Sequence, residues 1–385
     1  MRKFLPEVIV LCAILMVVSY GFAQTWTKST SLPGNTDWTG IACSADGKVI
    51  LAVGSAAKPM VSTNSGRTWT NVATAPFIYF YGASSADGGM LVAPGSASGF
   101  GSAQYIYVSA DLGNTWTQTS VSNANWHPVA SSATGTKLFG AVSGGSIWLS
   151  TNSGTTWQVS SAPNKLWSSL SSSADGTKLI GSGSGQIYIS TNSGNDWFLT
   201  SIVGSSVATS ADGRTLVATG SSGTYISTDS GSSWRTNAIN VPFPFGNNVA
   251  SSADGKRLVL AGSRSPIYTS TNSGITWMTN NAPSLWGAVG SSADGCRLAA
   301  ISHVNGIWVG QIAPSPQLNL GATNGSLTFS WTVPSTNFVL QQNLDLTTTN
   351  WVTLTNKPSL NYTNLNNELT LPTSNSSGFY RLKAQ

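Results

Sequence analysis

The chain has 385 residues, only 8% of them charged, against 40% hydrophobic and 40 glycines. Ordinary apolar content with 15 Trp and little charge excludes a disordered chain, and the shortage of helix formers beside abundant Gly, Ser, Thr and Asn points to an all-β fold. The formal charge of +5 rests on scattered Lys and Arg with no basic run, so it does not argue for a nucleic-acid partner.

Taken from the N-terminus, Arg2 and Lys3 precede an apolar run from Val8 to Val18, and Gly21-Phe22-Ala23 forms a small-x-small cleavage site. Residues 1–23 therefore read as a signal peptide, with an uncleaved signal anchor as the alternative. The mature chain is expected to start near Gln24 and to be secreted, periplasmic or held at the cell surface. Cys12 follows Leu11 rather than a small residue, which argues against a lipoprotein anchor. No later stretch reaches the roughly 20 apolar residues of a membrane helix, so no span is expected in the mature chain.

Residues 24–314 are organised by two interleaved phrases. The first runs from Ser62 to Trp69 as Ser-Thr-Asn-Ser-Gly-Arg-Thr-Trp and recurs at Ser109, Ser150, Ser190, Ser227 and Ser270. The second, Ser-Ala-Asp-Gly, places Asp at 46, 87, 175, 212, 254 and 294, with a degenerate copy at Thr134. Successive steps are 41, 47, 41, 37, 42 and 40 residues, a period that marks a propeller or array. Within one unit, 158–197, four short runs alternate with turn residues and predict four antiparallel strands. Asp or Asn opening each turn accepts backbone N–H bonds, Gly takes the left-handed position, and the Trp three residues later folds back over the hairpin. One four-stranded unit cannot bury both of its faces, so the units must stack radially. Small residues four before each turn position (Ala42, Ala83, Ala130, Ser171, Ala208, Ala250, Gly290) suit inner strands crowded near an axis.

The seventh unit ends at Gly306–Gln311 without the first phrase, whereas the mature chain begins Thr25-Trp26-Thr27-Lys28, matching Thr68-Trp69-Thr70-Asn71. The expected fold is thus an all-β, seven-bladed β-propeller whose N-terminal strand closes the last blade. After Pro314-Ser-Pro316 the repeat stops, and residues 315–385 read as a small β domain with strands at Leu327–Trp331, Phe338–Gln342, Trp351–Leu354 and Phe379–Leu382. Accessory binding, surface sorting and a stabilising cap are all open roles for it.

The first phrase resembles the Asp-box, or BNR repeat, of the sialidase-like propellers. Its structural positions are Asn64, Gly66, Trp69; Asp111, Gly113, Trp116; Asn152, Gly154, Trp157; Asn192, Gly194, Trp197; Asp229, Gly231, Trp234; and Asn272, Gly274, Trp277. Asn stands at four positions where the motif carries Asp. In style the chain is similar to secreted bacterial BNR proteins and to propellers like the photosystem II assembly factors. The resemblance implies a fold that also hosts sialidases, xyloglucan hydrolases and receptors, so function must be read from the site.

Catalytic residues are not expected. Glu7 leaves with the signal peptide and Glu368 lies in the tail, so the propeller has no Glu; its Asp residues mostly serve turns, leaving Asp37 and Asp196, the latter also inside a turn phrase. Glycoside hydrolysis usually needs two flanking carboxyl groups. No Arg-Ile-Pro segment occurs, and Arg214, Arg257 and Arg297 read as solvated turn residues. His127 and His303 have no metal-ligand spacing, and neither metal nor cofactor is expected. Cys43 and Cys296 fall on units made neighbours by ring closure; a disulfide between them and two free thiols are both open.

The favoured function is a monomeric, non-catalytic scaffold that binds a glycan or protein through its loop face. An extracytoplasmic glycoside hydrolase and an assembly factor for a membrane complex are the alternatives. Ligand-binding candidates are the aromatics opening the inner strands, Trp38, Tyr79, Trp126, Trp167, Phe245 and Trp286, with His127 beside them. Eight or nine residues before the turn, they either ring the channel mouth as a stacking platform or plug it.

Overall fold

The computed structural model describes residues 25–30, 38–54, 57–71, 76–78, 81–97, 103–237, 248–262, 265–280, 285–302, 305–311, 317–323, 326–333, 338–345, 347–372 and 378–384. The signal-peptide expectation, Tyr79, Phe245, Asp37 and His303 lie outside them. The chain is an all-β propeller. Among the described residues, seven antiparallel sheets run in chain order, numbered here as blades 1 to 7, with inner strands beginning at Trp38, Phe77, Trp126, Trp167, Ser206, Asn248 and Trp286. Six have four strands; in blade 2 the inner strand is broken into Phe77–Ile78 and Ala83–Ser84, both paired to Leu91–Ser96.

The fourth strand of blade 7 is Thr25–Lys28, antiparallel to Gly306–Gln311, with Trp26 opposite Gly310. Trp26 sits 6.2 Å from Trp286, much as Trp197 sits 5.9 Å from Trp167 within blade 4. Ser29 continues the seam into blade 1: its N–H donates to the Ile307 carbonyl, and its hydroxyl accepts the Trp69 indole N–H at 2.8 Å.

A second closure lies on the axis. The alanine N–H of each Ser-Ala-Asp-Gly turn, and of its Ser-Ala-Thr-Gly variant in blade 3, donates to the alanine carbonyl of the next blade, from Ala45 through Ala86, Ala133, Ala174, Ala211 and Ala253 to Ala293, and from Ala293 back to Ala45, at 2.7–2.8 Å. A side chain larger than methyl would hold these backbones apart, so the repeated Ala follows from close approach.

Between blades, long side chains act as latches. Lys137 Nζ reaches Ser193 of blade 4 at 3.1 Å, and Lys178 Nζ reaches Ser230 and the Asp212 carbonyl of blade 5 at 3.0 Å. Arg257 Nη1 lies 2.9 Å from Cys296 of blade 7, and Arg297 Nη1 donates to Ser65 of blade 1. Arg257 and Arg297 are therefore inter-blade contacts rather than solvated turn residues; Arg214 is exposed. Each latch crosses the turn glycine of the next blade. A Cβ on Gly47 (φ 66°) would meet Arg297 Cβ at 2.9 Å.

Two further sheets, one from Asn319–Thr323, Ser326–Thr332, Asn366–Pro372 and Ser359–Asn361, the other from Val352–Thr353, Phe338–Asn343 and Phe379–Ala384, form the C-terminal module. Phe329, Trp331, Leu340 and Leu369 make its core. Its strands at 326–332, 338–343, 352–353 and 379–384 fall where the sequence places them; the other three are additional.

The module seals one end of the axis. Val333, Leu360 and Leu365 pack on the seven ring alanines. Leu365 holds φ 56°, a left-handed conformation uncommon for a non-glycine residue, while its carbonyl accepts the Val333 N–H. A Leu365→Asp change would press a carboxylate against this apolar contact and cost about 2 kcal/mol of docking, less than a fully buried charge because Leu365 is half-buried. The expected result is faster proteolysis between propeller and module and a larger radius of gyration by small-angle scattering; unchanged values for both would refute the docking role.

Candidate functional site

The eight-residue phrases build the outer turns, and their geometry repeats. In blade 1 Ser62 Oγ accepts the Gly66 N–H at 2.8 Å, Asn64 Oδ1 accepts the Thr68 N–H at 2.9 Å, and the Trp69 indole donates to the Gly66 carbonyl at 3.2 Å. The indole bond recurs at Trp116, Trp157, Trp197 and Trp277; at Trp234 the indole N–H has no partner. The residue before each glycine, from Ser65 to Ser273, also has positive φ, a feature the sequence did not disclose. Asn substitutes for Asp by reversing one bond: Asp111 Oδ2 accepts the Thr115 hydroxyl at 2.7 Å, whereas the Asn64 amide donates to the Thr68 hydroxyl at 2.7 Å. Hydrogen bonds from Ser233 and Ser227 hold the Asp229 carboxyl down at about 2.

The other turn consumes its carboxylates in the same way. Asp46, Asp87, Asp175, Asp212, Asp254 and Asp294 each accept a serine hydroxyl two residues back at 2.5–2.7 Å and the backbone N–H two residues on. Such oxygens are engaged in shaping loops. Among the described residues no group of three or more His, Cys, Asp or Glu could hold a metal ion.

The four described tryptophans of the expected aromatic platform lie between blades rather than at the channel mouth. Trp38, Trp126, Trp167 and Trp286 are only 1–2% exposed. Trp38 packs between blades 1 and 7, against Ala52, Met60, Ile301 and Ile307; Trp167 lies between blades 3 and 4, against Phe139, Ile147 and Leu179. Trp126 and Trp286 occupy the corresponding layers between blades 2 and 3 and between blades 6 and 7. The reason is geometric. An inner strand turns its backbone edge to the axis, and its side chains alternate toward the two flanking blades, so an inner-strand aromatic enters an inter-blade layer. His127 is half-buried with its ring 5.8 Å from Tyr81, and burial lowers its pKa.

Cys43 and Cys296 are unbridged in this structure. Cys43 Sγ faces Gly290, where an added Cβ would approach it to 2.8 Å; Cys296 is 2% exposed beside Arg257, contrary to an exposed turn position. Burial pushes both thiols up to about 12, which leaves them unreactive.

Among the described residues, the axis keeps a space at its loop-face end. A space of about 290 Å³ is lined by Tyr81, Pro128, Ser168, Ser169, Ser206 and Asn248, among others. Its wall mixes apolar residues such as Val129, Leu170 and Val249 with serines tied across blades: Ser168 Oγ donates to the Ser205 carbonyl at 2.8 Å, and Ser169 Oγ accepts the Val207 N–H at 3.1 Å. At the opposite end, a space of about 140 Å³ is lined by the ring alanines, their neighbouring serines and Leu365.

No family model matches the chain, and no curated protein matches it in sequence. Solved structures do match in fold. The GH74 xyloglucanase of Xanthomonas campestris superposes with a TM-score of 0.61 at 14% identity, over 80% of this chain and 59% of that one. YCF48 bound to a D1 peptide gives 0.56 at 16% identity over 76% and 97%, and YCF48 from Cyanidioschyzon merolae gives 0.56 at 15% over 74% and 98%. The chain thus spans 59% of the xyloglucanase, and identities this low establish a shared propeller fold only. Among the described residues no helix is long and apolar enough to cross a membrane.

Proposed function

We propose that this chain is an exported, non-catalytic propeller of the Asp-box type that recognises a glycan or a protein segment at the loop-face mouth of its axis. The observation that carries the reading is the asymmetry of the axis: Val333 and Leu365 close the turn face against the alanine ring, while the loop-face end keeps about 290 Å³ beside Tyr81. Commitment of the turn carboxylates to their own loops supports binding over hydrolysis. The neighbours suggest both ligand classes, one being a xyloglucanase and the other bound to a peptide.

The test is glycan and peptide arrays probed with the chain starting at Gln24. A ligand retained by the parent chain should bind at least about tenfold more weakly to Ser168→Trp, which fills the mouth from a half-buried position, while the lost bond to the Ser205 carbonyl costs only about 1 kcal/mol and lowers the melting temperature slightly. Retention of the ligand by Ser168→Trp, or turnover of xyloglucan by the parent chain, would overturn the reading.

A further inference from the structure

The outer strand of blade 4 departs from the repeat. It runs from Phe198 to Val203, six residues, whereas among the described residues the outer strands of the other blades have two to four. The cause lies in the connection to blade 5, where the step from Asp175 to Asp212 is the shortest of the series. Only Gly204 and Ser205 separate Val203 from the inner strand Ser206–Thr209, so the outer strand runs on until Val203 is level with Gln186, the start of the third strand. The passage is tight. The Gly204 N–H donates to the Gly185 carbonyl at 2.9 Å and the Ser205 N–H to the Thr219 carbonyl at 2.7 Å, and a Cβ on Gly204 would come within 3.0 Å of that same carbonyl oxygen.

This strand is the open edge of its sheet. Sheet edges are usually protected by shortness, charge or proline, because their unpaired N–H and C=O groups are a template for another strand. Phe198-Leu199-Thr200-Ser201-Ile202-Val203 has none of these, while the outer strands of blades 5 and 7 carry Arg235 and Lys28. Its one guard is a bulge between Leu199 and Val203, where Thr200 Oγ1 accepts the Ile202 N–H at 3.1 Å. Phe198, Leu199 and Val203 are 63%, 55% and 46% exposed. Leu166, also exposed, adds to the patch through its hydrogen bonds with Ser184, at the turn that Gly204 reaches. Ile202 instead packs with Ile187 and Val207 between blades 4 and 5 and fixes the strand from behind. An edge already held in place loses little conformational freedom on pairing.

We propose that this edge binds the same edge of a second copy of the chain, the two strands pairing antiparallel about a two-fold axis. The arrangement sets the Phe198–Leu199 end of one strand beside the Val203 end of the other, so apolar side chains meet apolar ones. Self-pairing brings like charges together wherever an edge carries them; here the strand carries none, and Asp196, just before it, ends up at the far end from its twin. The same lack of charge gives a different, charged partner nothing to be steered by. With Leu166 included, the symmetric contact covers on the order of 1,000 Å², the lower bound for a specific interface, so the dimer is weak. The contact lies on the outer rim and the loop-face mouth on the axis, and the two readings stand or fail separately.

The experiment follows the mass of the chain starting at Gln24 by sedimentation velocity from about 1 to 200 µM. The expected result is a shift from monomer to a limiting dimer, with a dissociation constant on the order of 10 µM, in place of the monomer the sequence suggests. Leu199→Lys, at an exposed position, puts a cation on each edge and should weaken the dimer at least about tenfold, with the melting temperature within about 2 °C of the parent. Met278→Lys, 58% exposed on the outer strand of blade 6, should dimerise as the parent does, which separates edge pairing from general apolar association. A parent chain that stays monomeric at about 200 µM overturns the proposal, whether or not it captures an extended apolar peptide. So does a Leu199→Lys chain that dimerises like the parent, or association that continues beyond two copies.

Discussion

Replacing Trp167 by Ala should lower stability by about 3–5 kcal/mol, the range for removing a fully buried Trp, and bring the melting temperature down by roughly 10 °C. The indole is 1% exposed, donates to the Gly145 carbonyl at 3.0 Å, and meets Tyr188 edge-on at 5.4 Å and Trp197 at 5.9 Å. Deleting it opens a void between two blades and leaves a carbonyl without its donor. Both losses fall on folding, so ligand affinity per folded molecule should stay as it was. Thermal unfolding and binding measured on the same sample check the pair: a melt within about 2 °C of the parent, or selective loss of ligand, would return the residue to a binding role.

The second large effect belongs to the N-terminal strand. A chain starting at Thr30 loses the pairing of Thr25–Lys28 with Trp308–Gln311, the Trp26–Trp286 contact and both Ser29 bonds into blade 1. Half-buried Trp26 and this ladder together are worth about 4 kcal/mol, so a drop on the order of 10 °C is expected. The bared edge of Gly306–Gln311 is a template for another strand, so concentration-dependent aggregation should accompany it. Adding a peptide of residues 24–31 should restore the melt. An unaltered melting temperature in the shortened chain would show that the axial contacts close the ring unaided.

The architecture was legible because two turn phrases with fixed chemistry punctuate the chain at a near-constant period, and because the missing phrase after Gly306–Gln311 had a counterpart at Trp26. The placement of aromatics was not. Spacing from Asp46 locates Trp38 at the loop end of an inner strand, but the conclusion that it faces the channel treats that strand as the stave of a barrel. In a blade the axis sees the strand's edge, and a bulge after each of Trp38, Trp126, Trp167 and Trp286 further breaks the count of alternating faces. The latches were hidden for a related reason. Lys137, Lys178 and Arg297 follow turn phrases, where charge ordinarily means solvent, and only the neighbouring blade reveals the serine each one reaches. The module's part in closing the axis depends on Leu365, whose position among Asn and Thr gives no sign of burial.

The circle of alanine hydrogen bonds has no first or last member. In an open stack of repeats, copies are gained or lost at the ends, and terminal units evolve to meet solvent. Here every N–H is answered by the carbonyl of the following blade, so removing one unit strands a donor and an acceptor on opposite sides of a gap and changes the radius at which all the others must meet. Repeat number is thereby fixed by hydrogen bonding at the hub. The family of chains reachable from this one by duplication or deletion of a single forty-residue unit contains few that close, and variation is channelled into the loops and the latches.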